Sequence, residues 1–401
     1  MEYMKILLIN HFPLEGSGSG VYTRNLAIEL TKRGNEVRVI FPENEKPREE
    51  IFEQRPIYFK GVNSTDWDLD YDFPCFTSHP RSMNTYYDLN NEQMKDYIDV
   101  FLKRVKEEVD DFNPDIIHAQ HLWIAPFAAS KTKVPYIVTA HGTDLKGFKK
   151  DSRYHKYALE GARNASKIIT ISKQVDSEVK SLYGVNDEDT EIVMNGYDEE
   201  LFKPMDLDKK KILKNFGVNT SPDYIVSFAG KLTHFKGVDV LVKAAKTYNN
   251  SIEGKTVVTL IAGNGELYSE LVELKDRLSI NNLFFLGHVS QKKLVDLYNI
   301  ADVSTVPSRV EPFGLVAIEA LGCGTPVVVT NQGGLVDFIN DDVGTLVDVD
   351  DDMKLASAIR NELTRNDKEE RSKRCYKYAK KNFSWKNTLD NLEKIYGGVK
   401  K

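Results

Sequence analysis

Two glutamates, Glu311 and Glu319, lie eight positions apart in the segment SRVEPFGLVAIEALGCGTPVVVT, residues 308–330. Ionised carboxylates accept short, charge-assisted hydrogen bonds, and a pair of them suits the paired hydroxyls of a sugar. The pattern predicts a loop and then a helix from about Phe313, with Glu311 just ahead of the helix and Glu319 on it. At such a helix start, the backbone N–H groups of Gly314 and Leu315 are placed to bind hydroxyl or phosphate oxygens. Glu319 interrupts the otherwise apolar LVAIEALG, and a buried carboxylate needs a partner. The alternative is that Glu311 only caps the helix and Glu319 faces solvent.

A second constellation is GKLTHFKG, residues 230–237, in which Lys231 and Lys236 stand five positions apart across a glycine-bounded turn. Two such cations converging on one diphosphate would neutralise a leaving group without a metal; a solvated pair of loop lysines is the other reading. A third is GSGSG, residues 16–20, followed by the helical pattern VYTRNLAIELTKRG. Its glycines either let a ligand approach the backbone or only make a tight strand-to-helix turn. His141, in TAHGTDL, follows an apolar strand and precedes a glycine, a placement that suits a site residue. The overlapping Asp66, Asp68, Asp70 and Asp72 have metal-binding spacing but sit in an irregular acidic stretch, 64–74, which reads as a long loop facing solvent or an acceptor. LKGFKKDSRYHKY, residues 145–157, mixes cations with aromatics as a membrane-surface helix does, although a solvated helix is the commoner source of that pattern.

These residues need a scaffold, and the chain supplies one twice. Short apolar runs alternate with longer amphipathic segments: KILLIN (5–10), EVRVIF (36–41), DIIHA (115–119), PYIVTA (135–140) and KIITIS (167–172). The rhythm restarts with YIVSFAG (224–230), TVVTLIAG (256–263), NLFFLG (282–287), DVSTVPS (302–308) and PVVVT (326–330). Runs that are apolar throughout suit parallel strands covered by helices on both faces. Each functional segment above follows one of these strands, where open α/β sheets bind their ligands. Between the halves, 197–222 reads as a linker and a lysine-rich surface helix, and FSWKNTLDNLEKIYGG (383–398) as an amphipathic helix.

Length and composition agree. At 401 residues the chain exceeds the usual size of one core, so two domains are expected. With 41% hydrophobic and 28% charged residues it has the make-up of a globular enzyme, and a net charge of −6 argues against general nucleic-acid binding. Cys75, Cys323 and Cys375 are too scattered for a disulfide framework or a zinc site, which suits a reducing cytoplasm. Neither a secretory leader nor an apolar stretch long enough to span a bilayer is legible.

In EPFGLVAIE, GKLTHFKG, the glycine loop, HGTDL (141–145), MNGYD (194–198) and TNQGG (330–334) the whole chain resembles the retaining glycosyltransferases of GT-B fold, in family 4 (glycosyl transferases group 1). The resemblance implies an α/β architecture of two Rossmann-like domains facing a deep cleft. Residues 1–200, with a C-terminal helix 383–401 crossing back, would form an acceptor domain, and 201–382 a nucleotide-sugar domain. It implies transfer of a hexosyl unit from a nucleotide-diphosphate sugar to a hydroxyl acceptor, a glycan, lipid or small molecule, with retention and with no metal or other cofactor. Glu311 would contact donor-sugar hydroxyls, Glu319 the ribose, and Lys231 and Lys236 the diphosphate, with backbone donors from Phe313, Gly314 and Leu315. Gly18 and Gly20 would approach the phosphate and reacting centre. His141 would line the sugar site with Asp144 nearby, and His118 and His121, in HAQH, are packing or acceptor-side candidates. Two positions depart from the pattern: lysine replaces the usual arginine at Lys231, and Asp337 stands where glutamate is common. A peripheral contact at the inner face of a membrane stays open. The rivals are a sugar-nucleotide epimerase of the same fold, more remotely a PLP-dependent phosphorylase, and a non-catalytic sugar-nucleotide-binding module.

Overall fold

The computed structural model describes residues 3–61, 66–77 and 79–399. Residues 64 and 65 of the acidic stretch and 400–401 of the C-terminal segment lie outside it. The chain divides into two compact units, Met1–Met194 with Thr388–Lys401, and Asn195–Asn387.

The first unit is built on seven parallel strands: β1 (Lys5–Ile9), β2 (Glu36–Glu43), β3 (Glu53–Tyr58), β4 (Ile116–Gln120), β5 (Tyr136–Ala140), β6 (Lys167–Thr170) and β7 (Thr190–Ile192), in the order β3-β2-β1-β4-β5-β6-β7. The second carries β8 (Tyr224–Ala229), β9 (Val257–Ala262), β10 (Leu283–Gly287), β11 (Val303–Val306), β12 (Val327–Thr330) and β13 (Gly344–Val347), in the order β10-β9-β8-β11-β12-β13. Both contain the doubly wound Rossmann order, in which the chain leaves the first strand on one side and later returns to its other side. The central strands β4, β5, β9, β11 and β12 are buried along their full length, as their unbroken apolar runs require.

Three strands carry no such run. β3 (EQRPIY) lies at a sheet edge and is mostly half-exposed, β7 has three residues of which two are exposed, and β13 is partly exposed. Residues 209–215 form the expected lysine-rich surface helix. The C-terminal helix, Trp385–Val399, follows the helix Lys368–Phe383, and from Thr388 onward it belongs to the first unit. There Thr388 Oγ1 donates to Met194 O (3.1 Å), and Arg33 pairs with Asp390 (2.8 Å) and Glu393 (2.6 Å).

The acidic stretch is irregular where it is described. Asp68 accepts from Tyr58 N (2.8 Å) and Asp70 pairs with Lys60 (2.9 Å), so part of its charge is spent within the chain.

Candidate functional site

In the second unit β8 and β11 are neighbours, and the strand order reverses between them. The GKLTHFKG turn leaves the carboxyl end of β8, and the SRVEPFG loop leaves that of β11. The topology therefore delivers the lysine and glutamate segments side by side at the switch point of the sheet.

They meet there. Lys236 Nζ donates to Glu311 Oε2 at 2.7 Å, and Ser308 Oγ donates to the same oxygen at 3.1 Å. Ser308 is itself fixed, because Thr330 Oγ1 at the end of β12 donates to its carbonyl (2.6 Å). Gly334 N, from the TNQGG segment, donates to Glu311 O (3.0 Å). Glu311 is 7% exposed and the Lys236 side chain 28%, so the carboxylate lies at the floor and the ammonium at the rim. An ammonium has three donors, and Glu311 takes one. Gly237 holds the turn close: its φ of 61° is left-handed, and a Cβ there would meet Pro307 O at 2.0 Å.

Glu311 does not cap the helix that follows. That helix runs Leu315–Gly322 from a left-handed Gly314 (φ 103°) without a side-chain cap. Phe313 is buried against Phe338 (ring centroids 5.7 Å apart). The N–H groups of the first turn thus keep no partner within the helix itself. Lys231 stands exposed at the start of the lysine turn.

Glu319 does not face solvent either: it is 8% exposed on an apolar helix packed against Lys368–Phe383. Burial, then the Asp198 carboxylate, pushes its carboxyl up to about 8. The nearby Tyr298 hydroxyl is buried and has no hydrogen-bond partner. A carboxyl buried in this way is stabilised by a ligand that brings hydroxyl donors.

In the first unit the order reverses between β1 and β4, and the GSGSG loop follows β1. The helix Gly18–Lys32 starts inside that motif, with Ser17 Oγ accepting from Gly20 N (3.0 Å). Gly20 is buried, and a Cβ there would meet Pro13 O at 2.0 Å, so the chain's own backbone demands glycine. Gly18 is exposed, with nothing within 4 Å of a Cβ.

His141 follows β5 and is 9% exposed, its Nε2 2.9 Å from Gln120 Oε1 at the end of β4 and its ring edge-on to Tyr22 (centroids 5.3 Å apart). Burial, reinforced by His121, holds its pKa well below the ordinary value, so the ring is neutral near pH 7. Asp144 is fully buried and accepts from Leu122 N (2.8 Å) and His141 N (3.2 Å), tying the turns after β4 and β5 together. Its burial opposes the charge, but the His121 ring and the Leu122 N–H keep the carboxyl below its usual range. His118 is also fully buried, with Nδ1 2.8 Å from Tyr396 OH and Nε2 2.7 Å from Thr139 Oγ1. Both its nitrogens are used within the chain, so packing, not acceptor contact, is the role its geometry favours.

Sequence reasoning did not single out Ser308, Arg309, Gln120 or the strain at His121. His121 has a left-handed φ of 68° and is 1% exposed, with Nδ1 3.8 Å from Asp144 Oδ1. The HAQH spacing was the only signal of that turn. Among the described residues no three His, Cys, Asp or Glu side chains are gathered so as to hold a metal ion. No helix among them is long and apolar enough to cross a membrane.

Two families match: Glycosyltransferase Family 4 over residues 16–201, and Glycosyl transferases group 1 over 208–382. An uncharacterized glycosyltransferase of Methanocaldococcus jannaschii is 28% identical over 365 residues, 85% of this chain and 84% of that one. The D-inositol 3-phosphate glycosyltransferase of Rhodococcus erythropolis is 26% identical over 98% of this chain and 90% of its own. Among solved structures, the Anabaena HepE protein in complex with UDP-glucose superposes with a TM-score of 0.74 at 19% identity, covering 99% of this chain and 100% of that one. Such relatives do not favour the epimerase or binding-module alternatives. Two doubly wound parallel sheets and two family matches that leave out only the ends and the connecting segment make this chain a glycosyltransferase of GT-B fold, belonging to family 4.

Proposed function

We propose that the protein transfers a hexosyl unit from a nucleotide-diphosphate sugar to a hydroxyl acceptor, with retention of anomeric configuration and without a metal. The observation that carries this reading is the contact of Lys236 with the buried Glu311 at the switch point of the second sheet. In this reading Glu311 binds donor-sugar hydroxyls and Glu319 the ribose. Lys231, Lys236 and the backbone N–H groups of Phe313, Gly314 and Leu315 take the diphosphate. Gly18, Gly20 and neutral His141, at the carboxyl edge of the first sheet, serve the transferred group and the acceptor. The UDP-glucose held by the Anabaena structure is consistent with a nucleotide-sugar donor.

The step breaks the bond from the anomeric carbon to the diphosphate oxygen and forms one to the acceptor oxygen on the same face. The departing diphosphate accepts the acceptor's proton while lysine and N–H donors stabilise its growing charge. Those donors do the work a divalent ion does elsewhere, which is the basis for expecting metal independence. Glu311 is held by Lys236 and Ser308, an arrangement that suits hydroxyl binding better than nucleophilic attack.

A thermal-shift screen of nucleotide sugars identifies the donor, since a ligand that binds only the native state raises its melting temperature. Labelled donor is then incubated with and without candidate acceptors, in the presence of a chelator. Transfer that needs an acceptor and survives chelation supports the reading. An isomerised donor formed without acceptor, or activity that is lost to the chelator and restored by a divalent ion, defeats it.

A further inference from the structure

We propose that Arg309 is a positioning residue that holds the lysine turn in place, so that Lys236 is presented to the diphosphate. The inference rests on the donor-site reading above, since it acts through Lys236.

Arg309 sits in the glutamate loop, two residues before Glu311, yet its guanidinium is used on the lysine turn and the helix behind it. Nη1 and Nη2 donate to Asp239 Oδ1 and Oδ2, both at 2.8 Å, as a bidentate fork. Nη1 also donates to His234 O (2.8 Å), and Nε to Asp350 Oδ1 (2.6 Å). The backbone adds two more bonds, from Arg309 N (2.8 Å) and Val310 N (3.2 Å) to Phe235 O. The carbonyls of the two residues before Lys236 are thus both held by the Arg309–Val310 segment.

The turn needs this brace. Leu232 anchors the start of the turn in the core, but the 3₁₀ stretch that follows, His234–Lys236, is only three residues long and its His234 and Phe235 are exposed, so little apolar burial fixes that part. Asp239 lies in the first turn of the helix Val238–Tyr248, directly after the lysine turn. The fork therefore ties the helix start, the turn and the glutamate loop at one point. The Arg309 side chain is 14% exposed, well enough shielded for its ion pairs to resist screening. Guanidinium geometry matters here, because an ammonium cannot make the fork and also reach a carbonyl and a second carboxylate. Nothing in the arrangement directs Arg309 at Glu311 or at a ligand; its effect passes through the position of Lys236.

UDP, GDP and ADP are titrated into the full chain by calorimetry, and the tightest binder is compared with its own nucleoside monophosphate. The monophosphate dissociation constant divided by the diphosphate one isolates the terminal phosphate that Lys236 is expected to hold. In R309M this ratio should fall by about 10-fold, toward the value for K236A, roughly what one hydrogen bond to a charged group contributes to binding. Monophosphate binding should change little, whereas simple loss of folded protein would weaken both ligands together. If R309M does not fold, D239N breaks the fork with Arg309 retained, and the same ratio decides. A parent-like ratio in R309M or D239N, with a reduced one in K236A, overturns this inference and leaves the donor site standing. A parent-like ratio in K236A, or no nucleotide binding by the parent protein, overturns both.

Discussion

Lys236 Nζ stands 2.7 Å from Glu311 Oε2, joining the turn after β8 to the loop after β11. The pair is half of the proposed site and also a structural bond, and the two roles separate by experiment. For catalysis, E311A and K236A should each lower turnover by at least about 100-fold, the scale of lost transition-state stabilisation. Steady-state rates that stay near those of the parent would remove both residues from the site. For stability, K236M leaves Glu311 as an unpaired carboxylate and should cost on the order of 2 kcal/mol, less than for a fully buried pair because Lys236 is 28% exposed. K236M/E311Q should recover most of that loss in urea unfolding, since it removes the stranded charge along with its partner.

Glu319 predicts a pH dependence of the ligand-free protein. Its carboxyl, raised by burial and then by Asp198 from an ordinary 4.5 to about 8, keeps a proton that the unfolded chain releases. The native state then binds more protons than the unfolded state, so this group's contribution is complete below about pH 4.5 and declines as pH rises toward 8. In E319Q that decline should vanish, leaving the variant more stable relative to the parent at pH 8 than at pH 5. Melting temperatures of both proteins across this range make the comparison; parallel curves would show that Glu319 titrates normally.

Much of this was legible because burial leaves a trace in sequence. Ten strands announced themselves as apolar runs, and Glu319 as a lone acid within LVAIEALG. The edge strand β3, with Glu53, Arg55 and Pro56, shows no such run because one side of it meets solvent. β7 and β13 are too short and too exposed to read. At the site, Lys236 and Glu311 stood out by motif, but their mutual contact spans 75 positions and depends on β8 lying beside β11. Arg309 was unreadable for the same reason: its partners Asp239 and Asp350 are brought in by the fold, not by spacing.

His118 and Tyr396 make a prediction about the C-terminal helix. The Tyr396 hydroxyl meets His118 Nδ1 (2.8 Å) where both residues are fully buried, and burial lowers the histidine to about 3. Y396F leaves that ring nitrogen without its partner and should cost about 1–3 kcal/mol, measured by urea denaturation. A neutral buried histidine also means that the unfolded state takes up protons first on acidification, so stability falls from about pH 6.5 toward about 3. H118F should lose this acid-sensitive component while starting from lower stability at pH 7. A parent-like acid limb in H118F would place the titration elsewhere.

The glycine loop offers the clearest separation of ligand approach from turn geometry, because its glycines have different structural reasons. At Gly20 a methyl group would meet Pro13 O at 2.0 Å, so G20A must shift the backbone and should lower the melting temperature whatever the loop binds. At Gly18 a methyl group meets nothing within 4 Å, and the residue opens the helix Gly18–Lys32 without a left-handed φ. G18A should therefore keep or raise stability, by up to about 1 kcal/mol, through reduced entropy of the unfolded chain. If a phosphate or sugar comes close to this backbone during turnover, the same methyl group obstructs it, and transfer should fall at least about 10-fold in a protein that melts no earlier than the parent. Full activity in G18A would mean that GSGSG only turns the chain from β1 into its helix. Gly18 and Gly20 would then both leave the proposed site, without affecting the roles of Lys236 and Glu311.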